Sequence, residues 1–213
     1  MDSIKQYDSD IVQLLLSNTR VVTKQEVETN ILKLVEQWKE ERDQGRDLYV
    51  NGVSGQDHHW LYMLVRDHLP KHELICASTR PTDGSEILYI DDWLLSGCTA
   101  SVHLEEVLYE SELKDIKYTC IFNVVSVSQK HMYKLVDEQY KGTQLKIYSG
   151  SVIEAFDDIL RREGISEDRI KKFNLEVSPD IECGSFAITS DYKIPNQLGS
   201  YPKIYEITHK MTK

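Results

Sequence analysis

The sequence predicts an α/β fold, a doubly wound and mainly parallel sheet with helices on both faces. From residue 47 onward, short runs of apolar and β-branched residues alternate with stretches of helical periodicity, which is typical of such a sheet. The composition agrees with a globular domain, since 40% of the 213 residues are hydrophobic and 28% are charged. We therefore expect one full-sized core that needs neither disulfides nor metal ions to hold it together.

The first 45 residues are predicted to be helical. A short apolar helix covers Asp10–Ser17, and a longer helix opens at Thr23, where Thr23 and Glu26 form a capping-box pattern. Gly45 is a natural helix stop. Apolar residues then recur on one face of the second helix, at Val27, Ile31, Leu34, Val35 and Trp38. We expect residues 1–45 to be a helical extension packed on a core domain of residues 46–213, which contains the sheet.

The core domain begins with alternating strands and helices and ends in a less regular region. Only Ser78–Glu86 separates the second strand from the third, too few residues for a helix. The last forty residues predict a small C-terminal region of strands and loops. The predicted strands are Leu48–Val50, Leu74–Ala77, Ile87–Ile90, Tyr118–Val127 and Leu145–Tyr148, the helices about 56–69, 100–113, 129–140 and 151–163, and the C-terminal strands Gly184–Ile188 and Lys203–Ile207.

Charge and cysteine usage exclude several classes of protein. The net charge is 25 − 35 = −10, so we expect no direct contact with nucleic acid, which needs clustered Lys and Arg. No run of 18 apolar residues predicts a transmembrane helix, and the N-terminus has no secretory pattern. Four scattered cysteines without a CxxC pair indicate free thiols in a reducing compartment. The expectation is a cytoplasmic protein with no membrane partner.

The segment that carries chemistry follows the predicted strand Ile87–Ile90. Asp91 and Asp92 come directly after it, and Ser96, Gly97, Cys98 and Thr99 lead into a helix. In a parallel sheet, ligands bind outside the carboxyl ends of the strands. Two acids can accept hydrogen bonds from vicinal hydroxyls, and a hydroxyl-rich turn at a helix N-terminus suits a phosphate. The spacing predicts a ribose 5-phosphate as the ligand. The simpler alternative is that the two acids merely precede the N-terminus of a helix and that Ser96 and Gly97 form an ordinary turn.

This segment resembles the thirteen-residue signature of the type I phosphoribosyltransferases, and residues 87–99 fill every defining position. The resemblance implies that Asp91 and Asp92 hold the ribose hydroxyls of phosphoribosyl pyrophosphate (PRPP), which binds with Mg²⁺. It also implies that residues 96–99 bind the 5-phosphate. It identifies no catalytic residue, and no direct metal ligand is read from the sequence.

A second element of the family is expected at the end of the first core strand. Gly52, Val53, Ser54 and Gly55 stand there, where the family resemblance implies contact with pyrophosphate. The two glycines allow close backbone approach and Ser54 can donate to a phosphate oxygen. Taken alone, such a string is typical of any strand-to-helix turn.

The chain departs from the catalytic members of the family in one main respect. Those enzymes place a long mobile loop over PRPP, whereas residues 78–85 form only a short stub with Arg80 as its one cation. Without a lid, a reactive sugar cation is open to hydrolysis. The layout is also similar to phosphoribosyltransferase-like domains of bacterial antiphage systems. Two functions therefore stay open: a phosphoribosyltransferase, or a non-catalytic sensor or partner-dependent effector in antiviral defence.

The part of such a protein that contacts the nucleobase varies most within the family. Tyr192 and Lys193 could stack on and hydrogen-bond to a base, although an edge strand ended by Pro195 is the stronger interpretation. The N-terminal helices are the expected surface for protein partners. The sequence leaves the oligomeric state open, a homo-oligomer included.

Overall fold

The computed structural model describes residues 8–51, 59–76, 78–94, 98–108, 113–126, 129–140, 142–177 and 188–190. They group into two compact units, one within residues 1–24 and 153–213 and the other within residues 25–152. The helices are α1 Ser9–Asn18, α2 Lys24–Glu41, α3 His59–Val65, α4 Cys98–Leu108, α5 Gln129–Gln139, α6 Phe156–Arg162 and α7 Glu167–Val177. The strands are β1 Arg20–Val22, β2 Leu48–Asn51, β3 Glu73–Leu74, β4 Glu86–Leu94, β5 Lys117–Ser126, β6 Gln144–Ile153 and β7 Ile188–Ser190.

The larger unit is built on a five-stranded sheet in the order β3-β2-β4-β5-β6. β2 pairs in parallel with both β3 and β4, and β4 pairs in parallel with β5. Helices connect or flank these strands, so the predicted fold class, a mainly parallel α/β sheet, is confirmed. The order also places β4 in the centre of the sheet, with a strand on each side.

Two faces of this sheet are covered by helices. On one face, α4 and α5 pack their apolar residues against β4 and β5 in a single core that is closed to solvent. On the other face lies α2, whose Trp38 donates a hydrogen bond to Glu86 of β4. The members of the first core include Ile87, Tyr89, Leu104, Val107, Tyr118, Cys120, Phe122, Met132 and Val136. Burial on both faces explains why β4 and β5 are almost continuously apolar in sequence.

Strand β4 is longer than the sequence predicts. The predicted end was Ile90, but β4 continues through Asp91 and Asp92 to Leu94. The physical reason is that β5 offers a matching ladder, with Asp91 aligned with Phe122 and Trp93 with Val124. The strand was predicted to end before Asp91 and Asp92 because acids are depleted in strands. Pairing with the long strand β5 overrides that preference.

The helix predicted at about 151–163 begins later than expected. β6 runs on through Gly150 and Ser151 to Ile153, and α6 begins only at Phe156. Alternate residues of β6 are exposed, as expected for a strand at the edge of a sheet, so its apolar signal was weak. Helix α7, in which Ile170 and Phe173 are buried three residues apart, was not predicted from the sequence.

The smaller unit has its own apolar core, formed by α1, α6 and α7. Ile11, Leu15, Phe156, Leu160 and Phe173 pack together there, each at most 1% exposed. Arg169 of α7 adds an ionic contact, since its guanidinium donates to Asp8 and Asp10 at the start of α1.

In the same unit, β1 pairs in parallel with β7, with Val22 aligned with Ser190. β1 was not predicted. Of the predicted C-terminal strands, Ile188 begins β7, whereas residues 184–187 and 203–207 lie outside the described residues. Over the described ranges, no helix has both the length and the apolar character needed to cross a membrane.

Candidate functional site

The two acids of the signature lie inside the central strand, three and two residues before its last residue, Leu94. Both are buried, with Asp91 5% and Asp92 1% exposed. Carboxylates are rarely buried unless hydrogen-bond donors surround them, because removing a charge from water is costly. The pair is therefore an exception that calls for a structural or a ligand-binding explanation.

Both carboxylate oxygens of Asp91 accept hydrogen bonds from neighbouring groups. The hydroxyl of Tyr89 donates to Oδ2 at 2.9 Å, and the backbone N–H of Asp92 donates to Oδ1 at 2.7 Å. Tyr89 and Asp91 are two residues apart in a strand, so they lie on the same face of the sheet. Burial, and next the charge of Asp91, raise the pKa of Tyr89 far above its ordinary value. The phenol thus stays protonated and able to donate.

Helix α4 follows this strand after only three residues. It begins at Cys98, and the burial of Leu104 and Val107 fixes it against the sheet. The free backbone N–H groups of a helix N-terminus favour an anion. Of the predicted phosphate-binding residues, Cys98 and Thr99 form the first turn of α4, while Ser96 and Gly97 lie outside the described residues.

The strand that precedes the predicted pyrophosphate loop lies next to β4. Gly52, Val53, Ser54 and Gly55 lie outside the described residues. β2, which precedes them, ends at Asn51, and Asn51 is aligned with Tyr89 of β4. The last described residue before the predicted loop is therefore aligned two residues before Asp91 in β4. The predicted base-contacting residues, Tyr192 and Lys193, also lie outside the described residues.

The connection from β3 to β4 is short and closely tied to the sheet. The backbones of Cys76 and Thr79 bond to each other in a tight turn. Gly84 then donates to the carbonyl of Lys114, and it adopts the positive φ of 77° that glycine tolerates. Because β3 and β4 both run parallel to β2, residues 75–85 must return the chain to the amino end of β4. Few residues of this segment are therefore left to cover the carboxyl end of β4, the end at which Asp91 and Asp92 lie.

One further polar residue lies next to the acids and was not predicted from the sequence. Asn123 of β5 corresponds in register to Asp92, since the pairs on either side are Asp91 with Phe122 and Trp93 with Val124. Its Oδ1 accepts from Asn30 of α2 at 2.8 Å. Its Nδ2 is buried without a hydrogen-bond partner among the described residues. An asparagine inside an apolar strand was the only sequence signal for it.

The described residues contain no group of three or more His, Cys, Asp or Glu that could hold a metal ion. Mg²⁺ commonly binds through one or two carboxylates together with substrate phosphates. Successive residues of a strand face opposite sides of the sheet, so Asp91 or Asp92, but not both, fits that more limited part, with the phosphates of a ligand supplying the other oxygens.

A separate polar groove of about 700 Å³ lies at the amino end of β2, away from the acids. Its two arginines are already engaged within the protein. Arg42 binds Glu86 and the carbonyl of Arg46, and Arg46 binds Asp115. The groove therefore offers less free positive charge to an anion than its composition suggests.

Similarity to known proteins is found among solved structures. No family model matches the chain, and no curated protein matches it significantly. Among solved structures, it is similar to phosphoribosyltransferases of three specificities. Hypoxanthine phosphoribosyltransferase from Staphylococcus aureus is 15% identical, over 64% of this chain and 80% of that one, with a TM-score of 0.40. Orotate phosphoribosyltransferase from Aeropyrum pernix is 16% identical, over 64% and 75%, with a TM-score of 0.39. Purine phosphoribosyltransferase from Pyrococcus horikoshii is 15% identical, over 64% and 92%, with a TM-score of 0.36.

Phosphoribosyltransferases are thus among the solved structures similar to this chain. Its function must be inferred from the chain's own signature residues and from the strand that carries them.

Proposed function

We propose that this protein binds PRPP, or a related ribose 5-phosphate compound, at the carboxyl end of β4. The observation that carries the proposal is the buried pair Asp91–Asp92 in the central strand, followed after three residues by the N-terminus of α4. In this proposal the acids accept hydrogen bonds from the ribose hydroxyls. Residues 96–99 bind the 5-phosphate and residues 52–55 bind the pyrophosphate.

The reaction that such a site supports is transfer of the phosphoribosyl group to a nitrogen nucleophile. The nitrogen attacks C1 of the ribose, the bond from C1 to the pyrophosphate oxygen breaks, and pyrophosphate leaves with that electron pair. The chain contributes by holding the ribose in one orientation and by directing N–H groups at the phosphates. Mg²⁺, when bound together with PRPP, would neutralise part of the negative charge of the pyrophosphate.

The second candidate is a non-catalytic member of the same fold, a ligand sensor or a partner-dependent effector of a bacterial antiviral system. The short connection 75–85 favours it, because the segment spans the return to β4 and is held by backbone hydrogen bonds near both ends. Group transfer from PRPP needs water excluded from the reacting carbon. A sensor needs only to bind.

Calorimetric titration with PRPP and Mg²⁺ tests the shared part of both candidates. We expect the wild type to bind and Asp92→Asn to lose at least tenfold in affinity, since a hydrogen bond to a charged group is worth about 1.5–3 kcal/mol. Asp91→Asn should have a similar effect. Asp137→Asn, the same change on an exposed acid of α5, is the matched control and should bind normally. Absence of binding by the folded wild type contradicts the proposal.

Pyrophosphate release separates the two candidates. The wild type is incubated with PRPP, Mg²⁺ and a panel of nucleobases, and pyrophosphate is measured with a coupled assay. Release that depends on one base, and that is lost in Asp92→Asn, supports the transferase. Tight binding without release for any base supports the sensor.

A further inference from the structure

We propose that Tyr89 is a positioning residue, whose hydroxyl orients the carboxylate of Asp91 toward a ligand hydroxyl. This inference rests on the proposed function, because it assigns a task within the same site. The hydrogen bond from Tyr89 to Oδ2 of Asp91, at 2.9 Å inside the protein, carries it.

A carboxylate on a short side chain does not hold one orientation by itself, since the last torsion of aspartate has a broad energy minimum. In Asp91, each oxygen accepts from a different donor, Oδ2 from the phenol and Oδ1 from the N–H of Asp92. Two donors on separate oxygens define the plane of the group. A carboxylate oxygen can accept more than one hydrogen bond, so a donor that orients the group does not by itself exclude a ligand hydroxyl.

Tyr89 is itself held in place. It is fully buried, and its ring lies between His103, at 5.1 Å between ring centroids, and Phe122, at 5.9 Å in an edge-on arrangement. His103 belongs to α4, the helix that follows the signature, and Phe122 to β5. The helix predicted to bind the 5-phosphate and the acid predicted to bind the ribose are thus linked through one aromatic ring.

Such a link has a specific consequence for binding. A site that hydrogen-bonds a ligand hydroxyl rejects the analogue that lacks it, provided that the accepting group stays in place when the hydroxyl is absent. If Tyr89 holds Asp91, removing the phenol oxygen lets the carboxylate adopt other orientations. Affinity for the ribose compound then falls, whereas affinity for the deoxy analogue changes less.

The test measures the binding of ribose 5-phosphate and of its 2-deoxy and 3-deoxy analogues by calorimetry. We expect the wild type to prefer the ribose compound over at least one analogue. Tyr89→Phe should reduce that preference by about tenfold, the size expected for a hydrogen bond to a charged group. A general loss of packing would weaken all three ligands equally and leave the preference unchanged, and that result overturns the inference.

Tyr49→Phe is the matched control. Tyr49 of β2 is another buried tyrosine of the same core, but it is aligned with Ile87, four residues or about 13 Å along β4 from Asp91. It should keep the preference of the wild type, and a loss equal to that of Tyr89→Phe counts against a special role for Tyr89.

Folding of each variant is checked by circular dichroism and thermal unfolding. If Tyr89→Phe does not fold, the same titrations use Tyr89→4-fluorophenylalanine, in which fluorine fills the space of the hydroxyl but cannot donate.

The two proposals fail differently: a wild type that binds none of the sugar phosphates contradicts the proposed function. A wild type that discriminates while the position-89 variants discriminate equally well contradicts only the role of Tyr89.

Discussion

The indole nitrogen of Trp38 donates a hydrogen bond to Oε1 of Glu86 at 2.8 Å, joining α2 to the first residue of β4. Glu86 is wholly buried. Thr119 donates to the same oxygen at 2.9 Å, and the cationic groups of Lys117 and Arg42 lie 3.5 Å and 3.4 Å from its carboxylate. The strand that carries Asp91 and Asp92 is therefore anchored at its other end by a buried carboxylate.

We predict that Glu86→Gln destabilises the protein by about 3 kcal/mol. The substitution keeps the shape but removes the negative charge, which leaves two largely buried cations without compensation. The midpoint of urea unfolding measures the effect. Glu36→Gln is the control, since Glu36 pairs with Lys39 at the surface and its loss should be barely measurable. Equal midpoints for the two variants contradict the prediction.

Gly150→Ala should also destabilise the protein, by about 1–3 kcal/mol, through a steric clash. A Cβ at this position would lie 2.8 Å from the carbonyl oxygen of Asn123 and 3.2 Å from Nδ2 of Asn30. The carbonyl oxygen of Asn123 belongs to the backbone, so it cannot move away easily. At Gly45 the nearest atom to a Cβ is a flexible side-chain oxygen at 3.3 Å, so Gly45→Ala should change the thermal unfolding midpoint little. If the thermal unfolding midpoint of Gly150→Ala equals that of the wild type, the prediction is contradicted and β6 is able to shift.

The sheet could be predicted from the sequence because its central strands are buried on both faces and read as apolar runs. The edge of the sheet could not. β6 is exposed at alternate positions and contains Ser149, Gly150 and Ser151, so its pattern resembles a loop that leads into a helix. The extension of β4 past Ile90 depends on the length of β5, a partner that a local pattern does not reveal.

In the candidate site, the acids could be identified from the sequence but their surroundings could not. The position of Asp91 and Asp92 before a helix could be read from spacing. The hydrogen bond from Tyr89 could in principle be suspected, because residues two apart share a face of a strand. The contact of Asn30 with Asn123 could not, since 93 positions separate the two residues in the chain.

Cys76 should react with iodoacetamide far faster than Cys120. Hydrogen bonds from Ser78 and then Thr79 lower the pKa of the exposed Cys76 thiol to about 7, whereas burial raises the pKa of Cys120. The thiolate is the nucleophile, so the alkylation rate of Cys76 should rise through pH 7 and level off above it. Peptide mapping by mass spectrometry follows each cysteine separately.

The role of Ser78 in this reactivity is tested by Ser78→Ala. Its Oγ lies 3.3 Å from Sγ of Cys76, and removing it should move the midpoint of the pH profile upward. Ser17→Ala, on the exposed side of α1, should leave the profile unchanged. A midpoint that stays near 7 in Ser78→Ala argues against the hydrogen bond as the cause.

The ion pair of Lys146 with Glu41 should make stability depend on pH. Lys146, then Gln37 and Tyr148, lower the pKa of Glu41 to about 2 from its ordinary value of about 4.5. A carboxyl whose pKa is lowered by folding adds stability that is fully present above its unfolded pKa and is lost as the pH falls toward the folded value. Lys146→Gln should therefore lower the urea midpoint at pH 6 and have a smaller effect near pH 2.5.

Lys134→Gln, which removes a looser exposed pair with Glu138 at 3.8 Å, is the control and should be nearly neutral at both pH values. If Lys146→Gln costs the same stability at both pH values, the contact acts through packing on Tyr148 rather than through charge.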